Sequence, residues 1–312
     1  MISHKPLLPV GWMFVLLLQS GLSVMDAAEP PAASTSVPVG AAGQATVEDL
    51  STQARAAFAK GQHAEAIMMA TQTIAAQPKN PRRYLIRARF YAADQQPAKA
   101  VADYDEILKL DSLTVSAWQE RGGEHFKLGH IAAAIADFDR FLTLMPQQVP
   151  YHWQRGIAYY YAGRFAEGRR QFEQHQTVNP HDVENADWHF LCVAREAGVE
   201  KARAALIPIT GDARVPMKEV HALFAGPGTP EAVLAAALAG ELPAEQRQRQ
   251  LFYAHLYLGL YFEATGDRKQ AHEHIVKAAG QYRTDDYMGD VARVHLQLRR
   301  QEKSFPAENK PD

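Results

Sequence analysis

Apolar and polar residues alternate along residues 47–180 at the three- and four-residue spacing of amphipathic helices. The segments "GQHAEAIMMATQTIAAQP" at 61–78 and "GHIAAAIADFDRFLTLMP" at 129–146 both open with Gly and end with Pro. Glycine favours a chain reversal and proline ends a helix, so each segment marks a turn followed by a helix. The pattern predicts a series of antiparallel helix pairs.

The pairs recur every 34 residues without an insertion, and certain positions hold one residue type. The units start at Val47, Pro81, Val115 and Val149. The turn position holds Gly61, Gln95, Gly129 and Gly163, and a small residue follows five positions later at Ala66, Ala100, Ala134 and Gly168. A small residue lets two helices approach closely. Gln95 departs from the pattern, and we expect Pro97 to begin the second helix there.

Two sets of polar residues, here called columns, recur at equivalent positions of the 34-residue units. One column holds Arg87, Arg121 and Arg155, and the other holds Asp103 and Asp137. We expect Arg–Asp pairs that join first helices to second helices, with a structural role. The spacing leaves open whether a pair lies within one unit or joins neighbouring units.

The regular spacing fails after Pro180. Residues 183–206 resemble a degenerate unit, and an irregular stretch follows with at most two short helices. One of these helices is capped by Thr229, starts at Pro230 and stops at Gly240. The period returns at 252–279, and a last amphipathic helix is predicted at about 286–300, where it would cap the final repeat.

These observations divide the chain into six segments. They are a signal peptide or anchor at 1–28, a flexible linker at 29–46, four units at 47–180, a degenerate unit with an irregular insert at 181–250, a further unit at 251–282, and a capping helix with a tail at 283–312.

The residue pattern of the N-terminal segment predicts that the protein is exported. Lys5 precedes an uncharged stretch that runs from Pro6 to Met25, as in secretory signal peptides. An uncleaved inner-membrane anchor is the alternative, since such a stretch can just span a bilayer. Both interpretations place the remaining chain across the membrane, in the periplasm or outside the cell. No cysteine follows the apolar stretch, so lipid attachment there is not expected.

Composition narrows the possible functions. The formal net charge of −2 over 312 residues gives no electrostatic footprint for nucleic acid. Cys192 is the only cysteine, so no internal disulfide can form. His189 and Cys192 share a helix face, but no orienting group accompanies them. His272 and His274 point in different directions on a helix and do not predict a metal site. We expect no catalytic residues, metal or cofactor.

The 34-residue helix–turn–helix units resemble the tetratricopeptide repeat (TPR). The further organisation, with "FYAHLYLGLYFEATGDRKQA" at 252–271 after an irregular insert, resembles the NlpI-type periplasmic repeat proteins. The first resemblance implies an all-α, right-handed helical solenoid with an irregular helical insert and a C-terminal capping helix. The second implies a non-catalytic adaptor with protein partners such as cell-wall hydrolases or a processing protease.

The tetratricopeptide resemblance implies that ligands bind on the concave side, which the first helix of each pair lines. Arginine and aromatic residues there are typical of peptide-binding surfaces. The expected groove residues are Arg55, Phe58, Arg89, Gln119, Phe126, Trp153 and Tyr160. The alternative is a structural subunit of an envelope assembly or a self-oligomer that uses the insert or the terminal helix. A hydrolase is disfavoured because no site motif is present.

Overall fold

The computed structural model describes residues 46–302, with side chains through residue 300, and these residues form helices joined by short loops, with no strand among them. The predicted signal segment, almost all of the linker and the tail lie outside the described residues. Within residues 46–302, no helix is both long and apolar enough to cross a membrane. The described chain divides into two compact units, and the division falls after Gln77.

The first unit is one helical hairpin, made of α1 (Val47–Ala59) and α2 (His63–Ala76). A capping box begins α1: the Thr46 hydroxyl accepts a hydrogen bond from the Asp49 N–H at 3.1 Å, and the Asp49 carboxylate accepts one from the Thr46 N–H at 3.0 Å. Ala66 is fully buried. The hairpin closes because the predicted small residue leaves room for the facing helix.

The second unit begins with three more hairpins. They are α3 (Pro81–Ala93) with α4 (Pro97–Leu110), α5 (Val115–Lys127) with α6 (Ile131–Leu144), and α7 (Trp153–Tyr161) with α8 (Phe165–Gln176). The last of these differs from the expected register, since α7 begins at Trp153 rather than at Val149. A 3-10 helix, Pro146–Tyr151, precedes it. Pro150 explains the difference, because a proline has no N–H and disfavours helix at the residue before it.

The remaining helices include the two short helices expected in the insert, but the first helix of the last unit begins at Ala244 rather than at 251. They are α9 (Val183–Ala197), α10 (Val199–Ala204), α11 (Met217–Ala225), α12 (Pro230–Leu238), α13 (Ala244–Thr265), α14 (Arg268–Val276) and α15 (Tyr287–Glu302). A π-helical turn, Lys277–Gln281, follows α14. Every residue from 251 to 260 in α13 is buried, so this helix is enclosed on all sides. The insert helices α11 and α12 pack on α13, and Phe224 of α11 contacts Phe190 of α9 with ring centroids 5.0 Å apart.

The predicted Arg–Asp pairs are confirmed, and the structure answers the open question about their direction. Arg121 donates to Asp137 of its own hairpin at 2.6 and 2.8 Å, and also to Asp105 of the preceding hairpin at 2.6 Å. Arg155 repeats this arrangement with Gln171 and Asp139. Each of these arginines therefore joins its own hairpin to the one before it.

The turn position also behaves as predicted, including its exception. Gly129 has a φ of +75°, and Gln95 has a φ of +54°, the only positive φ of a non-glycine residue in the described chain. Pro97 is the first residue of α4, as expected. The 34-residue register therefore holds Gln95 in a left-handed conformation that costs a side-chain-bearing residue roughly 1–2 kcal/mol.

The terminal helix α15 covers more than the final repeat. It packs on α14 and the π turn as expected, and it also packs on α5, the first helix of the third hairpin. Val291, Ala292 and Val294 are all at most 1% exposed. The helix is therefore part of the core and lies against the first helices of the repeats.

Candidate partner-binding groove

In the first hairpin, the two predicted groove residues differ in exposure. Arg55 is exposed, and Phe58 is half-buried. The Phe58 ring stacks on His63 of α2, with centroids 4.4 Å apart and an interplanar angle of 12°. Phe58 therefore contributes to the hairpin itself, whereas Arg55 faces solvent.

Arg89 of α3 forms a two-pronged ion pair. Its guanidinium donates to both oxygens of Glu120 on α5, at 2.7 and 3.0 Å, and 53% of the Arg89 side chain stays exposed. Glu120 also accepts a hydrogen bond from the Tyr104 hydroxyl at 2.8 Å. The hydrogen bond with Glu120 raises the pKa of Arg89 above its ordinary value. Arg89 therefore presents a fixed, planar donor group at the surface.

Gln119 of α5 faces the next hairpin rather than solvent. Its amide donates to Gln154 at 2.6 Å, and its oxygen contacts a ring nitrogen of His152. His152 is buried, and this burial lowers its pKa to about 3, so the ring is neutral at physiological pH. Gln119 consequently joins the third and fourth hairpins at the edge of the predicted groove.

Three of the four aromatic residues of the predicted groove pack against other parts of the chain. Phe126 is fully buried, and its ring stacks on Tyr287 of α15 with centroids 5.2 Å apart. Trp153 meets Tyr287 edge-on at 5.0 Å. Tyr160 is 3% exposed and packs on Trp188 at 5.4 Å. Contrary to the expectation, Phe126 and Tyr160 do not lie on an accessible surface, because α15 and neighbouring helices fill this part of the concave face.

Glu263 of α13 holds α15 in this position. Its carboxylate accepts hydrogen bonds from Arg299 at 2.6 and 2.9 Å, lies 2.9 Å from the His295 ring, and accepts another from Arg195 of α9 at 3.2 Å. Burial alone would raise the pKa of Glu263, but His295 and Arg299 outweigh burial and hold it well below its usual range. Glu263 and Tyr287 were not predicted as site residues. The only sequence signal was the amphipathic pattern of the terminal helix.

Gly123 marks the part of the face that stays open. A Cβ added at Gly123 would meet nothing within 4 Å, whereas one added at the adjacent Gly122 would lie 2.6 Å from the Phe138 ring. Gly123 lies one turn before Phe126, so both are on one side of α5. We define the open strip as Leu85, Arg89 and Gly123. Leu85 is half-buried, so the strip offers apolar surface, a guanidinium and space.

Cys192 and His274, two of the candidates from the sequence, pack inside the protein. A Cβ at Gly168 would lie 2.8 Å from the Cys192 sulfur, so this thiol fills the space that the missing side chain leaves. Burial raises the pKa of the Cys192 thiol well above its ordinary value. His272 is exposed, whereas His274 is buried and shares a 2.8 Å Nδ1–Nδ1 contact with His255. Residues 46–302 contain no group of three or more His, Cys, Asp or Glu side chains that could hold a metal ion.

The similarities of this chain to known proteins come from comparison of structures. No family model and no curated protein matches the sequence. A tetratricopeptide repeat protein from Parabacteroides merdae has 15% identity and a TM-score of 0.53, over 81% of this chain and 98% of that chain. PilF of Pseudomonas aeruginosa has 14% identity and a TM-score of 0.42, over 82% and 97%. A MamA protein has 16% identity and a TM-score of 0.49, over 63% and 98%. The chain has the all-α fold of tetratricopeptide repeat proteins.

Proposed function

We propose that this protein is a non-catalytic protein–protein interaction scaffold that binds a segment of a partner on its open strip. The single observation that carries the proposal is the open space at Gly123, on the same side of α5 as Phe126. That side already accepts a helix, because α15 buries Tyr287 against Phe126 and Trp153. A partner segment would continue this contact over α3 and the first half of α5.

The chemistry of the strip favours a partner segment with an apolar anchor and an acceptor group. Leu85 supplies apolar surface, and the exposed Arg89 guanidinium supplies donors in a fixed orientation because Glu120 holds it. An ordered arginine loses less side-chain entropy when a partner binds than a mobile one does. The strip is therefore pre-organised for a short contact.

The proposed location is the bacterial cell envelope. Residues 1–28 have the pattern of a signal peptide, and an uncleaved segment would anchor the protein in the inner membrane instead. The NlpI-type resemblance suggests cell-wall hydrolases or a processing protease as partners. Sizing of the mature N-terminus by mass spectrometry distinguishes cleavage from anchoring.

Two substitutions test the strip against a matched control. Gly123→Phe fills the open space, and Arg89→Ala removes the donor group. Ala132→Phe places the same ring on the exposed side of α6. After affinity capture from envelope extracts identifies a partner, its purified form is titrated against each variant. We expect Gly123→Phe to weaken binding at least tenfold, about 1.4 kcal/mol, and Ala132→Phe to leave it unchanged. If all three variants bind the partner as tightly as the wild type does, the open strip is not the binding surface.

A second function has one observation in its favour. The insert exposes Leu238 and Val215, which are 58% and 42% accessible, and such apolar surface favours a structural contact within an envelope assembly or a self-oligomer. Light scattering during size-exclusion chromatography over a range of concentrations tests self-association. A monomer at every concentration would contradict the self-oligomer.

A further inference from the structure

A cluster of carboxyl groups lies where the insert meets α9 and α13. Arg214, three residues before α11, donates to Asp182 at 2.7 Å, to Asp212 at 2.9 Å and to Glu184. Asp212 also accepts a hydrogen bond from the Val183 N–H at 3.2 Å. The insert is thus fastened to the start of α9 by one guanidinium and one backbone contact.

Asp187 is a fourth carboxyl group in this region, and no hydrogen bond within the described chain stabilises its charge. It is fully buried, and neither of its oxygens has a hydrogen-bond partner within the described chain. It lies three residues after Glu184 on α9, so the two share a helix face. The Tyr257 hydroxyl of α13 donates to Glu184 at 2.7 Å and leaves Asp187 without a donor.

Four carboxyl groups therefore share one guanidinium in a largely buried space. An isolated carboxylate without hydrogen bonds is too costly to bury, and such a group stays protonated instead. Burial, followed by repulsion from Glu184, raises the pKa of Asp187 well above its ordinary value. Burial raises the pKa of Glu184 to about 7, although Arg214 opposes this shift.

The other ionisable groups around the cluster do not supply the missing charge. His175 of α8 lies 4.0 Å from Asp182, and its Nδ1 contacts the Pro150 carbonyl oxygen at 2.9 Å. Tyr253 of α13 interacts electrostatically with Glu184 and Arg214. It also interacts electrostatically with Arg249 and Asp286. Burial raises the pKa of Tyr253 and of Tyr257, so both phenols are neutral at physiological pH.

We propose that this cluster is a buried proton-binding site that couples docking of the insert to pH. Asp187 holds one proton in the folded state at neutral pH, and Glu184 exchanges a second one. Loss of these protons places two further negative charges beside Asp182 and Asp212, which one guanidinium cannot balance. The insert then loosens from α9 and α13. This inference is independent of the proposed partner strip.

The direction of the effect follows from the raised pKa values. A carboxyl group with a raised folded-state pKa contributes its full stability below the unfolded pKa and loses it as pH rises. For Glu184 the window runs from the ordinary 4.5 to about 7. Asp212 has a lowered pKa because the interaction with Arg214 outweighs the burial of Asp212. Its titration therefore changes stability only at more acidic pH. The insert should therefore be held most firmly at mildly acidic pH.

Hydrogen exchange measured between pH 5 and pH 8 tests the coupling. The readout is the protection factor of the amides in α11, corrected for the intrinsic pH dependence of exchange. In the wild type we expect this protection to fall by up to about tenfold per pH unit for each proton released. Amides of α4, which are remote from the cluster, serve as the internal reference.

Asp187→Asn is the informative variant because it is uncharged at every pH. We expect its α11 protection to depend less steeply on pH, and to exceed that of the wild type at pH 8. Glu200→Gln makes the same chemical change at an 86% exposed side chain of α10 and should follow the wild type. Identical pH profiles for the wild type and Asp187→Asn would overturn the proposal.

Infrared spectroscopy decides the question if Asp187→Asn does not fold. A protonated buried carboxyl group gives its own C=O stretching band, which persists at neutral pH in the wild type if the proposal is correct. Glu184→Gln should leave part of that band in place. A wild-type protein without any protonated carboxyl band at pH 7 would refute the proton-binding site.

Discussion

The ring of Tyr287 on α15 stacks on the ring of Phe126 on α5, with centroids 5.2 Å apart. This contact joins the last helix of the chain to the first helix of the third hairpin, on the face where tetratricopeptide groove residues were expected. The concave face is therefore divided into a filled part at α5 and α7 and an open strip at α3 and α5. The predictions below test this division and the packing that produces it.

The first prediction concerns Tyr287 itself. Tyr287→Ala should lower the free energy of unfolding by roughly 3 kcal/mol, because it leaves a cavity between two aromatic rings. Tyr287→Phe should raise stability by up to about 1 kcal/mol, because the buried hydroxyl has no hydrogen-bond partner among the described residues. Urea unfolding measures both. A similar loss in both variants would show that the hydroxyl, and not the ring, holds α15 in place.

The adjacent glycines of α5 should respond in opposite directions to the same substitution. Gly123→Ala should stabilise the protein by roughly 0.5–1 kcal/mol, since alanine favours helix and meets only open space. Gly122→Ala should destabilise it by roughly 1–3 kcal/mol because the new methyl group would overlap the Phe138 ring. Thermal unfolding measures both changes in stability. Destabilisation by Gly123→Ala would indicate that the strip is closed.

Arg121 should be far more important for stability than an arginine or lysine at the surface. Arg121→Ala leaves Asp137 without its two-pronged partner, and the Asp137 side chain is only 4% exposed. We expect a loss of roughly 2–4 kcal/mol. Lys109→Ala is the control, because its partner Glu106 is well exposed, and should cost less than about 0.5 kcal/mol. Chemical denaturation compares them, and equal effects would contradict the bridging role.

The strained turn offers a stabilising change. Gln95→Gly should raise the free energy of unfolding by roughly 1 kcal/mol, since glycine adopts the φ of +54° without a steric penalty. Gly163 lies at the same position of the fourth unit and has a φ of +71°, so Gly163→Ala should lower the free energy of unfolding. A shift of the melting temperature in the same direction for both variants would show that the turn conformation does not limit stability.

The sequence was sufficient for features that depend on local spacing. Each Gly at the turn position and each buried Ala five residues later reports a constraint within one hairpin, so the pattern predicts the hairpin directly. The Arg121–Asp137 pair was found in the same way, because both residues follow the 34-residue period. The 3-10 helix before Trp153 departs from that period because Pro150 overrides the repeat locally.

The site was less predictable because it depends on contacts between distant segments. The apolar face of α15 is visible in the sequence, but nothing in its pattern specifies α5 as the surface that it covers. Phe126 and Trp153 occupy first-helix positions that the repeat pattern places on the concave side, and Tyr287 of the distant terminal helix packs on both. Asp187 was missed for a related reason, since its surroundings come from α9, the insert and α13 together.

Site-specific photo-crosslinking in cells tests the central claim most directly. A benzoylphenylalanine at position 85 lies in the open strip and keeps the apolar surface there, and one at position 132 lies on the exposed side of α6. The account predicts that position 85 forms a covalent adduct with a partner protein and that position 132 does not. Adducts at 132 without any at 85 would contradict it.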